Sequence, residues 1–137
     1  MNITYLQLRP GEELSDIAKL KPFLAIVVSE ETVDSAWREA VSKWLVKSGC
    51  TYMLAWGNEC SAWEDAVDLA NIEQFNFGEI PEDELVVTTR HANESLIDVF
   101  RFAKTAEHAC TEFSNTLILH LSFQNNETEY LIQYAQA

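Results

Sequence analysis

Six consecutive apolar residues, Phe23 to Val28, end abruptly in Ser29-Glu30-Glu31. An unbroken apolar run bounded by polar residues is the pattern of a strand covered on both faces, as in the middle of a parallel sheet. The rhythm then changes. Val33, Trp37, Ala40, Val41, Trp44 and Leu45 recur at intervals of three and four, with Arg38, Lys43 and Lys47 on the outer side, which predicts an amphipathic helix. Thr32 is its expected cap, Asp34 adds a favourable charge to its first turn, and Gly49 is its expected left-handed terminator. Cys50 to Trp56 predicts a second strand. Ser61 to Asn71 or slightly beyond predicts a second helix, opening on the box-like Ser61-Ala62-Trp63-Glu64 and burying Ala62, Trp63, Ala66, Val67, Leu69 and Ala70. Leu85 to Thr89 predicts a third strand. Asn93 or a neighbour caps a third helix reaching about Glu107, and Thr116 to Phe123 predicts a fourth strand.

The two ends are patterned less decisively. Residues 1–10 alternate from Ile3 to Leu8 and stop at Pro10, as a short edge strand or an extended arm would. Leu14, Ile17 and Ala18 suggest a short helix between Gly11 and Leu20, ended by Pro22. The stretch from Ile72 to Glu84 is read as a loop that packs Phe75 and Phe77. Gln124 to Glu127 reads as a turn, and Thr128 to Tyr134 as a returning antiparallel edge strand, with a short terminal helix as the alternative. The alternation of strand and helix predicts a three-layer α/β sandwich with a mainly parallel four-stranded sheet, flavodoxin-like or Rossmann-like in order. Residues 1–137 form a single domain on this reading, with its core at 23–123, an arm at 1–21 and an edge element at 124–137.

Composition narrows the class. At 47% apolar residues with four Trp, seven Phe and four Tyr among 137, the chain is too hydrophobic for a disordered protein. No apolar run is long enough to span a membrane and the N-terminus does not read as a leader, so a soluble, cytoplasmic protein is expected. Cys50, Cys60 and Cys110 are odd in number and lack C-x-x-C spacing, which indicates neither a disulfide framework nor a cysteine zinc site. Charge changes the picture more. The net charge is −13, and between Lys47 and Arg90 nine acids occur without a single Lys or Arg. Such a surface repels nucleic acid and anionic membrane and steers a basic protein partner towards itself. Excess carboxylates also keep a small protein soluble.

Ligands of open parallel sheets bind beyond the carboxyl ends of the strands. That edge gathers Ser29, Glu30 and Glu31, then Trp56 to Cys60, then Thr88 to His91 with Asn93, and finally Ser122. Glu30, Asn58, Cys60, Arg90 and His91 are the residues expected to line a ligand crevice. A Cys60 thiol at a helix N-terminus with His91 as its base is the sharpest catalytic idea. Glu59, Glu64 and Asp65 oppose it, because carboxylates nearby disfavour a thiolate, and no catalytic residue is assigned. Gly57 alone does not make a phosphate-binding loop. His91, His108 and His120 sit on different elements without ligand spacing, so no metal or other cofactor is expected. His108 reads as a polar helix-end residue and His120 as a satisfied core group. Trp37, Trp44 and Trp63 read as core, whereas Trp56, beside Gly57, is the tryptophan that can stand in an interface.

The segments Ser48-Gly49-Cys50, Met53-Leu54-Ala55-Trp56-Gly57, Cys60-Ser61-Ala62-Trp63, Ile80-Pro81-Glu82-Asp83 and Thr88-Thr89-x-His91 give residues 23–122 a further feature. They resemble a family of small bacterial proteins of unknown function, with Arg90 where an aromatic residue is expected. The resemblance implies no activity. The expectation is therefore a non-enzymatic acidic protein that docks on and neutralises a basic partner, as immunity proteins and toxin inhibitors do. Trp56, Glu59, Glu64, Asp65, Asp68, Glu82, Asp83 and Glu84 would be its contact residues. The alternative is a small enzyme or ligand sensor using Glu59, Cys60 and His91.

Overall fold

The computed structural model describes residues 2–109 and 113–137. The elements run β1 (Asn2–Leu8), β2 (Phe23–Ser29), α1 (Ser35–Lys47), β3 (Cys50–Gly57), α2 (Cys60–Gln74), β4 (Val87–His91), α3 (Leu96–Ala109), β5 (Asn115–Leu121) and α4 (Glu127–Gln136). Among the described residues, five strands form one sheet in the order β1-β5-β2-β3-β4. All four pairings are parallel. The β2 run is buried along its whole length because it has a strand on each side and a helical layer on each face.

Side chains of β2 divide cleanly between the two layers. Phe23, Ala25 and Val27 join Val41, Leu45, Trp63 and Val67 beneath α1 and α2. Leu24, Ile26 and Val28 join Val99, Phe100, Tyr130 and Tyr134 beneath α3 and α4. This is the period-two alternation of a strand supplying two cores at once. The three-layer α/β sandwich therefore holds, while the strand count and the antiparallel edge do not.

Both corrections come from the ends of the chain. Residues 2–8 are a full strand paired along β5, with Ile3 and Tyr5 turned to one layer and Leu6 and Leu8 to the other. The tail is a helix: Tyr130 and Tyr134, four residues apart, lie on one buried face against Phe100. Over so short a segment, alternation and helical spacing are both satisfied, and the apolar surface beside α3 decides between them. The helix expected between Gly11 and Leu20 is reduced to one 3-10 turn, Ala18–Leu20. The segment must instead stretch across β5 to reach β2. It is tied down by two indole N–H groups, Trp37 to the Glu12 carbonyl at 3.2 Å and Trp44 to the Ser15 carbonyl at 2.7 Å. Both tryptophans are half-buried rather than core, whereas Trp63 is fully enclosed.

Element ends shift in informative ways. Asp34, not Thr32, caps α1 by accepting from the Ala36 N–H at 3.2 Å. No box closes on α2: Glu59 stands before it in the left-handed region, and its side chain caps nothing. The turn there is set by Gly57, at φ +95°, where an added Cβ would lie 2.1 Å from the Ser29 carbonyl oxygen. The third strand begins two residues later than expected, at Val87. Of Asn93 and its neighbours, Ser95 supplies the cap of α3, its hydroxyl accepting from the Asp98 N–H at 3.2 Å. Cys110 lies outside the described residues.

Candidate functional site

At the carboxyl ends of the strands, β2 leads to α1 on one face and β5 leads to α4 on the other, so the crevice of the fold opens between these two neighbours. Glu30, directly after β2, meets His120 of β5 there. His120 is fully buried and makes two bonds: Nε2 to the Glu30 carboxylate and Nδ1 to the Tyr5 hydroxyl at 2.6 Å. The Asn126 N–H donates to the Tyr5 oxygen at 2.9 Å. The two ring nitrogens of His120 thus bridge Glu30 and Tyr5. Tyr130 of α4 donates to Glu30 Oε1 at 3.1 Å. Burial raises the Tyr130 hydroxyl well above the ordinary tyrosine range, and the Glu30 carboxylate raises it further. Tyr5 is raised chiefly by burial, against the opposing Asn126 N–H. Glu30 was expected at this crevice and His120 as a satisfied core group; Tyr5 and Tyr130 were missed because both come from the misread ends.

His91, at the end of β4, is buried among Glu94, Thr89 and Phe102. Nδ1 lies 3.0 Å from Glu94 Oε2 and Nε2 lies 2.8 Å from the Thr89 hydroxyl, with the Phe102 ring edge-on. Trp56 shares this face and donates its indole N–H to the Glu94 carbonyl at 2.7 Å. Cys60 lies elsewhere: it is buried in the core beneath α1 and α2, across the sheet from His91. The expected pair is therefore not assembled. Asn58 stays exposed in the turn, its backbone N–H bonded to the Ser29 carbonyl at 2.7 Å. Glu59 pairs with Arg38 at 2.9 Å. Arg90 reaches Glu64 at 4.0 Å and the Ser61 hydroxyl at 3.3 Å. Among the described residues, no His, Cys, Asp and Glu side chains are grouped to hold a metal ion.

The acidic segment is organised around α2 and β4. Asp68 accepts from the Thr88 hydroxyl at 2.6 Å, and Glu73 lies 3.7 Å from Lys43. Buried Asn71, which sequence patterning missed, joins α2 to the start of β4. It donates to the Glu84 carbonyl at 3.0 Å and accepts from the Val86 N–H at 3.0 Å. Glu82, Asp83 and Glu84 form an exposed 3-10 turn held by that junction. The turn also borders a cleft of about 490 Å³ at the amino ends of β2 and β3, where Lys21 and Lys47 form the other wall. Cys50 lines the same cleft, and burial pushes its thiol up to about 12. A thiol so raised stays protonated and is a poor nucleophile.

A model of the domain of unknown function DUF7684 matches residues 3–137. The chain belongs to this family. Nearly all of the fold thus falls within one DUF7684 domain, including Tyr5 and Tyr130 from its two ends. No curated protein and no solved structure matches the chain.

Proposed function

We propose that this protein is an acidic binding protein that docks on a basic protein partner and neutralises it, in the manner of an immunity protein or inhibitor. One observation carries the reading. In the stretch without Lys or Arg, the carboxylates of Asp65, Glu79, Glu82, Asp83 and Glu84 have neither an ion pair nor a hydrogen bond among the described residues. Adjacent like charges in the 82–84 turn repel one another and contribute nothing to folding, whereas a cationic surface brought against them is attracted over nanometre distances. Trp56 takes no part in this surface, since its indole is engaged on the α3 side of the sheet.

The test is affinity capture from the native host at low and high salt, with the wild-type protein and a Glu82→Ser, Asp83→Ser, Glu84→Ser variant side by side. A basic protein retained at low salt, released at high salt and bound more slowly by the variant is the expected result. Capture that is indifferent to both salt and the three substitutions would remove the proposal.

A further inference from the structure

Resting on that reading, we propose how the partner is held: an extended basic segment adds as a sixth strand along the free edge of β4, with Phe77 as its apolar anchor. Among the described residues β4, like β1 at the other end of the sheet, pairs with one strand, so alternate residues between Val87 and His91 turn their N–H and C=O groups outward. Sheet edges are ordinarily blunted by lysines, proline, a bulge or a covering element. Here the strand carries one cation, Arg90, drawn back to Glu64 and Ser61, and it and its approach also expose apolar side chains: Leu85 is 46% and Val87 39% accessible. Phe77 is 70% accessible.

Phe77 is not merely left outside. It adopts φ +60° directly after Asn76 at φ +53°, a conformation costly for a bulky residue. The backbone holds it there: the Phe77 N–H bonds the Ile72 carbonyl at 3.1 Å and the Gly78 N–H bonds the Phe75 carbonyl at 2.9 Å. Ile72 is itself 39% accessible, and its neighbour Asn71 carries the bonds that fasten residues 84–86 to α2. The Phe77 backbone and residues 84–86 are therefore both fastened to the carboxyl end of α2. An aromatic ring displayed on a fixed backbone loses little entropy when a partner covers it, which is the property of an interface anchor.

Charge selects the occupant. Glu79, Glu82, Asp83 and Glu84 lie just before the strand and make no ion pair among the described residues, which favours a segment that brings lysine or arginine alongside apolar residues. A second copy of this chain is disfavoured, because two molecules of net charge −13 would meet acid to acid.

The test uses a synthetic peptide alternating lysine and valine, the same peptide methylated at alternate backbone nitrogens, and amide exchange read residue by residue by NMR. Strand addition predicts salt-sensitive binding that slows exchange of the outward β4 amides by about tenfold or more, and that backbone methylation or Phe77→Ser weakens about tenfold. Binding confined to the acidic turn, with no slowing in β4 and no effect of methylation, overturns strand addition and leaves the basic-partner reading standing. No salt-sensitive binding of either peptide overturns both. Dimers seen by sedimentation and lost on Val87→Lys would make a second copy the occupant and overturn the proposal as well.

Discussion

At the β1 side of the sheet, polar groups answer one another: Asn126 donates to Tyr5, His120 bonds Tyr5 through one ring nitrogen and Glu30 through the other, and Tyr130 donates to Glu30. Gln7 adds a bond to the Ser122 carbonyl at 2.9 Å, and α4 covers the tyrosines. At the β4 side Phe77, Leu85 and Val87 stand in water beside carboxylates that make no ion pair among the described residues. Equal cost is not involved. Pairing those groups stabilises the monomer, because buried polar groups left unpaired are costly. The exposed carboxylates and apolar chains beside β4 contribute nothing comparable to the monomer, and on the proposed reading they are what a partner covers.

The contrast can be broken at its closed side first. His120→Ala removes a fully buried ring and takes one partner from the part-buried Tyr5 hydroxyl, so a loss of about 3 kcal/mol is expected from urea denaturation midpoints. A loss below about 1 kcal/mol would mean that water replaces the ring easily and that the chain of bonds is not a closed unit. Asn71→Ala should cost about 2 kcal/mol by leaving the Val86 N–H and the Glu84 carbonyl unanswered. Its distinguishing sign is faster amide exchange in β4 with β1 and β5 unchanged; uniform acceleration would show that the β4 unit is not separable.

Alkali offers a third probe. Tyr5, Tyr130 and Tyr134 are all raised above the ordinary value of 10.0, chiefly by burial. Glu107, bonded to Tyr134, adds to the rise in that residue. A folded value raised above the unfolded one keeps its stabilisation below the unfolded value and loses it as pH climbs towards the folded value. Stability should therefore fall above about pH 10, and less steeply in Tyr130→Phe and Tyr134→Phe than in the wild type. Equal slopes in all three proteins would contradict the burial of these hydroxyls. The smallest effect is expected at the open side. Phe77→Asn places a residue tolerant of positive φ where the ring now sits, and should raise thermal stability by about 0.5 kcal/mol while weakening peptide binding. A clear loss of stability would show that the ring belongs to the core.

Local pattern was sufficient for the middle of the molecule. The Phe23–Val28 run, the α1 periodicity and Gly49 at φ +103° appear where expected, because strands between two layers and helices on a sheet are dictated by their own residues. The ends were harder to read. Residues 2–8 alternate equally well as an arm or a strand, and residues 128–134 as a strand or a helix, until a neighbouring surface selects one. Those two choices hid the crevice, since Tyr5 and Tyr130 reach Glu30 only when β1 lies beside β5 and α4 folds back over it. Asn71 escaped notice for a similar reason: a polar residue at the end of a helical pattern gives no sign that it will be buried against a later strand.

The sequence by itself determined the α/β alternation, the central strand, and the concentration of acid between Lys47 and Arg90, all of which are properties of neighbouring residues. Only the tertiary structure decided that residues 5, 30, 120 and 130 share one hydrogen-bonded cluster, that Cys60 and His91 stand on opposite faces, and that β4 is left at an edge. Those outcomes depend on strand order, which is set by how the whole chain buries its apolar surface and which no local stretch encodes.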